Sequence, residues 1–456
     1  MRKNDDLTTG HIPRLIARLA IPASIGYFFN TMYNVVDTFF GGLISTQVLA
    51  ALSLSLPVFF IIIAMGTGIA TGATALIANA LGSGDREGAK TYAVQSITFG
   101  LLNALAVTLF GVFSSPFLFS LLGASDEYLS DCLVYMNTIF LGTVFFMLVY
   151  MLNSILYALG DTRSFRNFLI AGFLLNILLD PWFIYGGAGI PPLGITGIAF
   201  ATVLIQIIGC IYLGIKVFQT RLLNGITIKA IVPRYSVMSE IAQQGLPSSV
   251  NMITVGVGFF VITYFVSMFE KEAVAAYGIG IRVEQIVLLP TIGLNVATLT
   301  LVAQNNGAKM FDRMREILNA ALAYGGILMI VATGIVFIFA GYLMGFFTDD
   351  TLVIDIGTTY MRIDCFVFNA YVILFTNIAA LQGVKRPMFA VWIGVLRQLV
   401  APCVVFYTLI NIFEAGLLGI WWGFFSITWT AALFSIFYTR VILRDVVNRA
   451  LVEMSI

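Results

Sequence analysis

Charge is scarce in this chain, and it has no polar stretch long enough to form a water-soluble domain. Of its 456 residues only 10% are charged and 59% are hydrophobic, and the mean hydropathy is +0.97. A soluble domain carries about 25% charged residues. Histidine is almost missing. The single copy, His11, lies ahead of the first apolar run, which argues against a His-based catalytic or zinc site inside the apolar segments. The four cysteines, Cys132, Cys210, Cys365 and Cys403, form no CxxC pair and read as small buried hydrophobes in helices. A net charge of +1 gives no electrostatic basis for binding nucleic acid. The apolar runs contain no Ser–His set or metal-ligand cluster, so an enzyme and a bound cofactor are not expected.

What the chain does have is a succession of apolar runs of about 20 residues, the length that crosses a bilayer as a helix. Twelve are expected, near 14–42, 47–80, 91–122, 130–158, 165–187, 194–217, 238–268, 273–305, 316–346, 353–382, 388–411 and 416–440. The fold class is therefore an all-α polytopic membrane protein. Met1-Arg-Lys-Asn-Asp-Asp leads into no short apolar stretch with a cleavage site, so the first run is expected to persist as a mature span.

Charge alternates between successive loops. All Lys and Arg except Lys271, Arg282, Arg362 and Arg397 fall on one set of loops and span ends, from Arg2, Lys3, Arg14 and Arg18 to Arg440, Arg444 and Arg449. The other set carries Asp126, Glu127, Asp131, Glu270, Glu272, Asp349, Asp350, Asp355 and Glu414. Basic loops stay cytoplasmic. Both termini are thus expected inside, in a multi-pass protein of the plasma (inner) membrane.

The two halves of the chain repeat. From Pro22 to Gly82 they align without a gap on Pro247 to Gly307: Ser24 meets Ser249, Thr38 meets Thr263, and Gly68 meets Gly293. Later, Gly194-x-x-Gly197-Ile198 meets Gly416-x-x-Gly419-Ile420. Six spans per half, both starting inside, make parallel repeats. Two pseudo-symmetric six-helix lobes are expected, at 1–217 and 238–456, joined by a cytoplasmic linker at 218–237. Such lobes rocking about a central cavity form a transporter architecture. Gly68-x-x-x-Gly72 reads as a close-packing seam.

Asp37 lies within an apolar, aromatic-rich first span. A carboxylate at that depth costs roughly 2.5–3.5 kcal/mol on insertion scales unless it is paired, hydrated, protonated or holding a cation. It aligns with Ile262, so the acid is an asymmetric addition to a symmetric frame. The fifth span reads Asn176-Ile-Leu-Leu-Asp180-Pro181, with Asn176 and Asp180 on one helix face. Pro181 removes the backbone donor that the carbonyl of Ile177 would use. Asp37, Asn176 and Asp180, with a hydroxyl from Thr202, form a set of oxygens suited to Na⁺ or to a proton. In the second half, Arg282-Val-Glu284 and Arg362-Ile-Asp364 place acids two residues from bases, a spacing that does not pair them on a helix. Glu284, Asp364 and Arg282 form a candidate second-lobe polar site, and Arg397 is a candidate partner for either acid.

Taken together, Pro22, Tyr33-Asn-Val-Val-Asp37-Thr-Phe-Phe-Gly-Gly42, Gly82-Ser-Gly84, Gly160-Asp161 and Asn176-x-x-x-Asp180-Pro181 resemble the multidrug and toxic compound extrusion (MATE) family over the whole chain. The resemblance implies export of cationic, amphipathic drugs driven by inward Na⁺ or H⁺. It also implies a cation or proton site at Asp37, Asn176, Asp180 and Thr202, supported by Tyr33 and by Pro22, where the first span bends. One branch of the family uses a carboxylate in span seven. Here that span has no acid before Glu270, so the chain is similar to the branch whose coupling site lies in the first lobe. The expected partners are small cationic or amphipathic molecules and the lipid bilayer, with the chain acting as a monomer. Competing readings are a lipid-linked precursor flippase of the related superfamily and a channel. Twelve spans and several buried acids weigh against the first, and a duplicated frame with a one-sided acid weighs against the second.

Overall fold

The computed structural model describes residues 6–124 and 126–455, with no side-chain description for 126, 127, 228, 451 and 453–455. Arg2 and Lys3, and the side chains of Asp126 and Glu127, thus lie outside the described residues. Among the described residues, twelve helices are long and apolar enough to cross a membrane. They are α1 (Ile12–Ile44), α2 (Thr46–Gly82), α3 (Arg86–Leu121), α4 (Tyr128–Ala158), α5 (Arg163–Tyr185) and α6 (Ile195–Gln219), followed by α7 (Tyr235–Val266), α8 (Lys271–Gly307), α9 (Phe311–Gly345), α10 (Thr351–Gly383), α11 (Met388–Asn411) and α12 (Gly416–Ala450). Each expected span has one counterpart. The β pairing among the described residues is an isolated bridge between Gly187 and Ile190, in the loop joining α5 to α6. Helices suit a membrane because they satisfy their backbone groups internally.

The helix ends show why the turns fall where they do. Ser45 Oγ accepts from Val48 N at 3.1 Å and caps α2, and an Asp85 carboxylate oxygen accepts from Gly88 N at 2.8 Å and caps α3. Gly160 ends α4 at φ +80°, a conformation that suits glycine. The Asp161 carboxylate that follows accepts from Arg163 N and Ser164 N, both at 3.0 Å, and from Ser164 Oγ at 2.6 Å. The Gly160-Asp161 pair is therefore a turn followed by a helix start. Two spans are irregular: α10 contains a 3-10 turn at Cys365–Val367, and α11 contains a π turn at Leu396–Val400.

Contacts divide the chain into two units, and both divisions fall inside helices. One unit is Ile25–Ser249. The other joins the residues up to Ser24 with those from Val250 onward. Each division lies within one turn of a proline, Pro22 in α1 and Pro247 in α7. The first turns of α1 therefore associate with the second-half helices, and those of α7 with the first-half helices.

In the Ile25–Ser249 unit, α2 packs on α3 and α4, and α6 packs on α4 and α5. Gly68 and Gly72 of α2 receive α7 at Ser249 and Gly245; a Cβ on Gly72 would lie 2.5 Å from Gly245 N. The expected linker belongs to this unit. Buried Gln95 of α3 donates to Ala230 O at 2.7 Å and Val232 O at 2.9 Å, and accepts from Arg234 N at 2.9 Å.

In the other unit, α8 packs on α9 and α10, and α12 packs on α10 and the second part of α11. Gly293 of α8 receives α1 at Ser24 and Ala20. The aligned residues Gly68 and Gly293, with Ser249 and Ser24, thus make the same contact once in each unit.

Candidate cation site

Tyr33 and Asp37 stand one turn apart on α1, so they present to the same side of the helix. The α5 helix runs on through Pro181 to Tyr185, and position 181 supplies no amide proton to the turn that carries Asn176 and Asp180. Asn176 and Asp180 are fully buried, Thr202 of α6 is buried, and Tyr33 and Asp37 are half-buried.

The structure brings these residues together. The Asn176 amide donates through Nδ2 to Asp37 Oδ1 at 2.8 Å and to Asp180 Oδ1 at 3.0 Å. The Tyr33 hydroxyl donates to Thr202 Oγ1 at 2.9 Å. The two carboxyls lie within hydrogen-bonding reach of each other when one carries a proton. Asp180 Oδ2 and Asn176 Oδ1 are buried without a hydrogen-bond partner. Among the described residues, neither acid takes part in an ion pair.

Two acids held this way, in apolar surroundings, call for a positive charge between them. A shared proton meets that need with the amide oriented as found. Na⁺ calls for oxygen ligands, which the two carboxylates supply directly and Asn176 supplies if its amide is turned to present Oδ1. Among the described residues no group of three or more His, Cys, Asp or Glu is arranged to hold a metal ion. The oxygens of Asp37, Asn176, Asp180 and Thr202 are the donor set of the candidate site, for a proton or Na⁺.

One neighbour was missed in the sequence. Tyr135 of α4 is buried and lies within electrostatic range of both acids. Among 18 tyrosines nothing in local sequence singles it out, since its approach to α1 and α5 is set by helix packing. Pro22 is buried inside α1, away from the acids in sequence but next to the point where the contact units divide.

In the other unit, Glu284 of α8 and Asp364 of α10 are buried, whereas Arg282 is exposed and does not join them. Arg362 is also exposed, with its guanidinium 5.7 Å from the Phe337 ring centroid. The buried base is Arg397, on the π turn of α11, 5.3 Å from the Tyr371 ring centroid. Two-residue spacing on a helix sends one member of each Arg-x-acid pair inward and the other out, and packing decides which.

Twelve apolar spans in two related sets, with acids enclosed within the spans, define a membrane transport protein. The MatE family model matches residues 22–182 and again 247–408, once in each half, and the chain belongs to that family. Over 417 residues it is 26% identical to "Probable multidrug resistance protein NorM" of Thermotoga maritima, covering 90% of this chain and 89% of that protein. It is 27% identical over 376 residues to "Multidrug export protein MepA" of Staphylococcus aureus, covering 82% of each. A solved structure described as the outward-facing conformation of a multidrug resistance MATE family transporter of the MOP superfamily shares the fold. Its TM-score is 0.90 at 24% identity, over 98% of this chain and 99% of that one. Family membership places the chain among multi-pass membrane transporters rather than enzymes.

Proposed function

We propose that this chain is a secondary active multidrug exporter. It expels cationic, amphipathic small molecules by alternating access, in exchange for H⁺ or Na⁺ entering through the cluster of Asp37, Asn176, Asp180 and Thr202. The names of its relatives support export of drugs over movement of a lipid-linked precursor. The observation that carries the ion reading is the Asn176 amide shared between carboxyls of two helices, with buried Asn176 Oδ1 and Asp180 Oδ2 left over as acceptors. An amide carries no charge, so the acids are neutralised by something that arrives and leaves. That exchangeability is what a coupling site needs, because an ion shifts a conformational equilibrium only through its different affinity for the two states.

The orientation of the amide, NH₂ toward both acids, favours the proton as the coupling ion. The exporter works as a monomer in the plasma (inner) membrane, with both termini cytoplasmic, and requires no cofactor. The basic loops and the acidic opposite loops support that orientation.

The test is efflux of a fluorescent lipophilic cation from reconstituted vesicles, with the pH gradient and the Na⁺ gradient imposed separately. Efflux driven by one of them is expected. Efflux indifferent to both gradients would overturn ion coupling.

A further inference from the structure

The segment between α6 and α7 is strapped to α3 more fully than a connection in water requires. Buried Gln95 donates to Ala230 O and Val232 O, and buried Thr98 donates through Oγ1 to Ile231 O at 3.2 Å. Three successive carbonyls thus accept from two side chains of one helix. Arg234 N donates to Gln95 Oε1, Ala230 N donates to Thr227 O at 2.8 Å, and Pro233 has no amide proton. Water satisfies such groups in an ordinary exposed loop, so internal partners matter most where water is scarce.

The side chains of this segment face outward. Ile231 is 49% exposed, Val232 59% and Tyr235 88%, and Lys229 and Arg234 are exposed beside them. Counted in the same register as Pro22 on Pro247, Leu7 falls opposite Val232. The Leu7 carbonyl is also held, by Asn305 Nδ2 at 3.2 Å, but the Leu7 side chain is buried. The segment before α7 turns its apolar side chains out instead.

The α3 helix sets the depth. Leu101, Leu105, Leu109, Phe113, Phe117 and Leu121 are all exposed, one turn apart. At 1.5 Å per residue this stripe is about 30 Å long, the thickness of a hydrocarbon core. Thr98 lies one turn before Leu101 on the same side of the helix. Its bond to Ile231 therefore holds that residue at the edge of the lipid-facing stripe, where acyl chains give way to headgroups. Over residues 221–234 the segment carries Arg221, Lys229 and Arg234 and no acid.

We propose that residues 229–235 form an interfacial docking element for anionic phospholipids. Ile231 and Val232 enter the acyl-chain boundary, and Tyr235 lies at headgroup level. Lys229 and Arg234 hold the lipid phosphates, their long stems carrying the charge out to the headgroups. The hydrogen bonds to α3 let the backbone leave water. The element depends on neither ion coupling nor drug export, so failure of either reading leaves it standing. A connector that stays in water would show no preference among lipids.

Two measurements on full-length protein test it. In the first, Val232→Cys and Asn224→Cys, each combined with Cys403→Ser, carry a nitroxide in nanodiscs of phosphatidylcholine and phosphatidylglycerol, with the signal of the Cys403→Ser parent subtracted. Asn224 is exposed earlier in the same connection. The Val232 label should be relaxed more by oxygen than by a water-soluble nickel chelate, and the Asn224 label the reverse. Equal access of the chelate to both overturns insertion. The second is the unfolding midpoint in detergent, titrated with phosphatidylglycerol or with phosphatidylcholine of the same chains. A lipid that binds the folded state raises the midpoint. With each base near an anionic surface worth roughly fivefold in affinity, K229Q/R234Q should raise the half-saturating phosphatidylglycerol concentration roughly 25-fold and leave the phosphatidylcholine response unchanged. R440Q/R444Q removes the same charge from exposed positions of α12 and should stay near wild type. Inorganic phosphate at matching concentration should give no shift. The proposal is overturned if K229Q/R234Q keeps the wild-type preference for phosphatidylglycerol, if R440Q/R444Q loses as much, or if phosphate alone reproduces the shift.

Discussion

Asn176 of α5 donates a 2.8 Å hydrogen bond to Asp37 of α1, tying the one-sided acid of the first span to a helix far away in sequence. Asp37 is half-buried while its partner is fully buried, so the acid stands at the accessible side of the pair. Asp37→Asn keeps the shape and loses the exchangeable charge. Gradient-driven efflux of a lipophilic cation should fall to the level of protein-free vesicles, with expression and thermal stability near wild type. Wild-type efflux from a well-folded Asp37→Asn variant contradicts the coupling role.

Asp37 and Asp180 share one amide and, in this account, one ion. Their substitutions should therefore be strongly non-additive, with an interaction energy of about 0.5–3 kcal/mol. Once Asp37 is Asn, adding Asp180→Asn should cost little further ion affinity. Ion titrations of the two single variants and the double variant measure this directly. Independent losses would mean two separate sites.

Pro22 lies within one turn of the point where α1 passes from one contact unit to the other. Proline cannot donate its backbone bond and marks a natural kink. We expect α1 to switch between straighter and more bent forms with the charge state of Asp37. Spin-label distances between α1 and α5 should change with pH or Na⁺. The seventh span carries Pro247 but Ile262 in place of an acid, and its distances should not respond. An equal response in α7, or none in α1 of active protein, rules out this hinge.

Gly72 faces the backbone of Gly245, which cannot swing aside as a flexible side chain would. Gly72→Val should lower stability by about 1–3 kcal/mol, the usual range for overpacking. Gly84, with φ +78° and open space around it, should tolerate Asn far better. Unfolding midpoints of the two variants, compared side by side, check the contrast.

Gln95 makes three hydrogen bonds to the segment between α6 and α7, at Ala230, Val232 and Arg234. Gln95→Leu should free that segment, at roughly 2–4 kcal/mol in local stability for three lost bonds. Limited proteolysis should then cut between Thr227 and Arg234 several times faster than in wild type. An unchanged cleavage rate would show that the clasp is dispensable.

Several parts of this architecture were legible in sequence for clear reasons. The apolar runs are long enough to be counted directly as twelve spans, and the alternation of Lys and Arg from loop to loop agreed with that count. Asp37 stood out because an acid inside an apolar run demands an explanation, and the one-turn spacing of Asn176 and Asp180 put both on one face. Other parts were hidden because they depend on packing. No local signal says that the turns of α1 before Ile25 join the second-half unit, or that Tyr135 packs within electrostatic range of the acids. Arg282 and Glu284 looked alike as buried candidates until packing turned one out and the other in. The π turn at Leu396–Val400 has no sequence signature, yet it turns Arg397 inward.

The most direct test is counterflow of the ion itself. Vesicles containing the protein, with a drug gradient and no initial ion gradient, should show H⁺ or Na⁺ moving opposite to the drug, followed with a pH dye or with ²²Na⁺. The account predicts drug-driven ion movement in wild type and none in Asp37→Asn or Asp180→Asn. Ion movement that persists in both variants, at the wild-type ratio to drug, would contradict it.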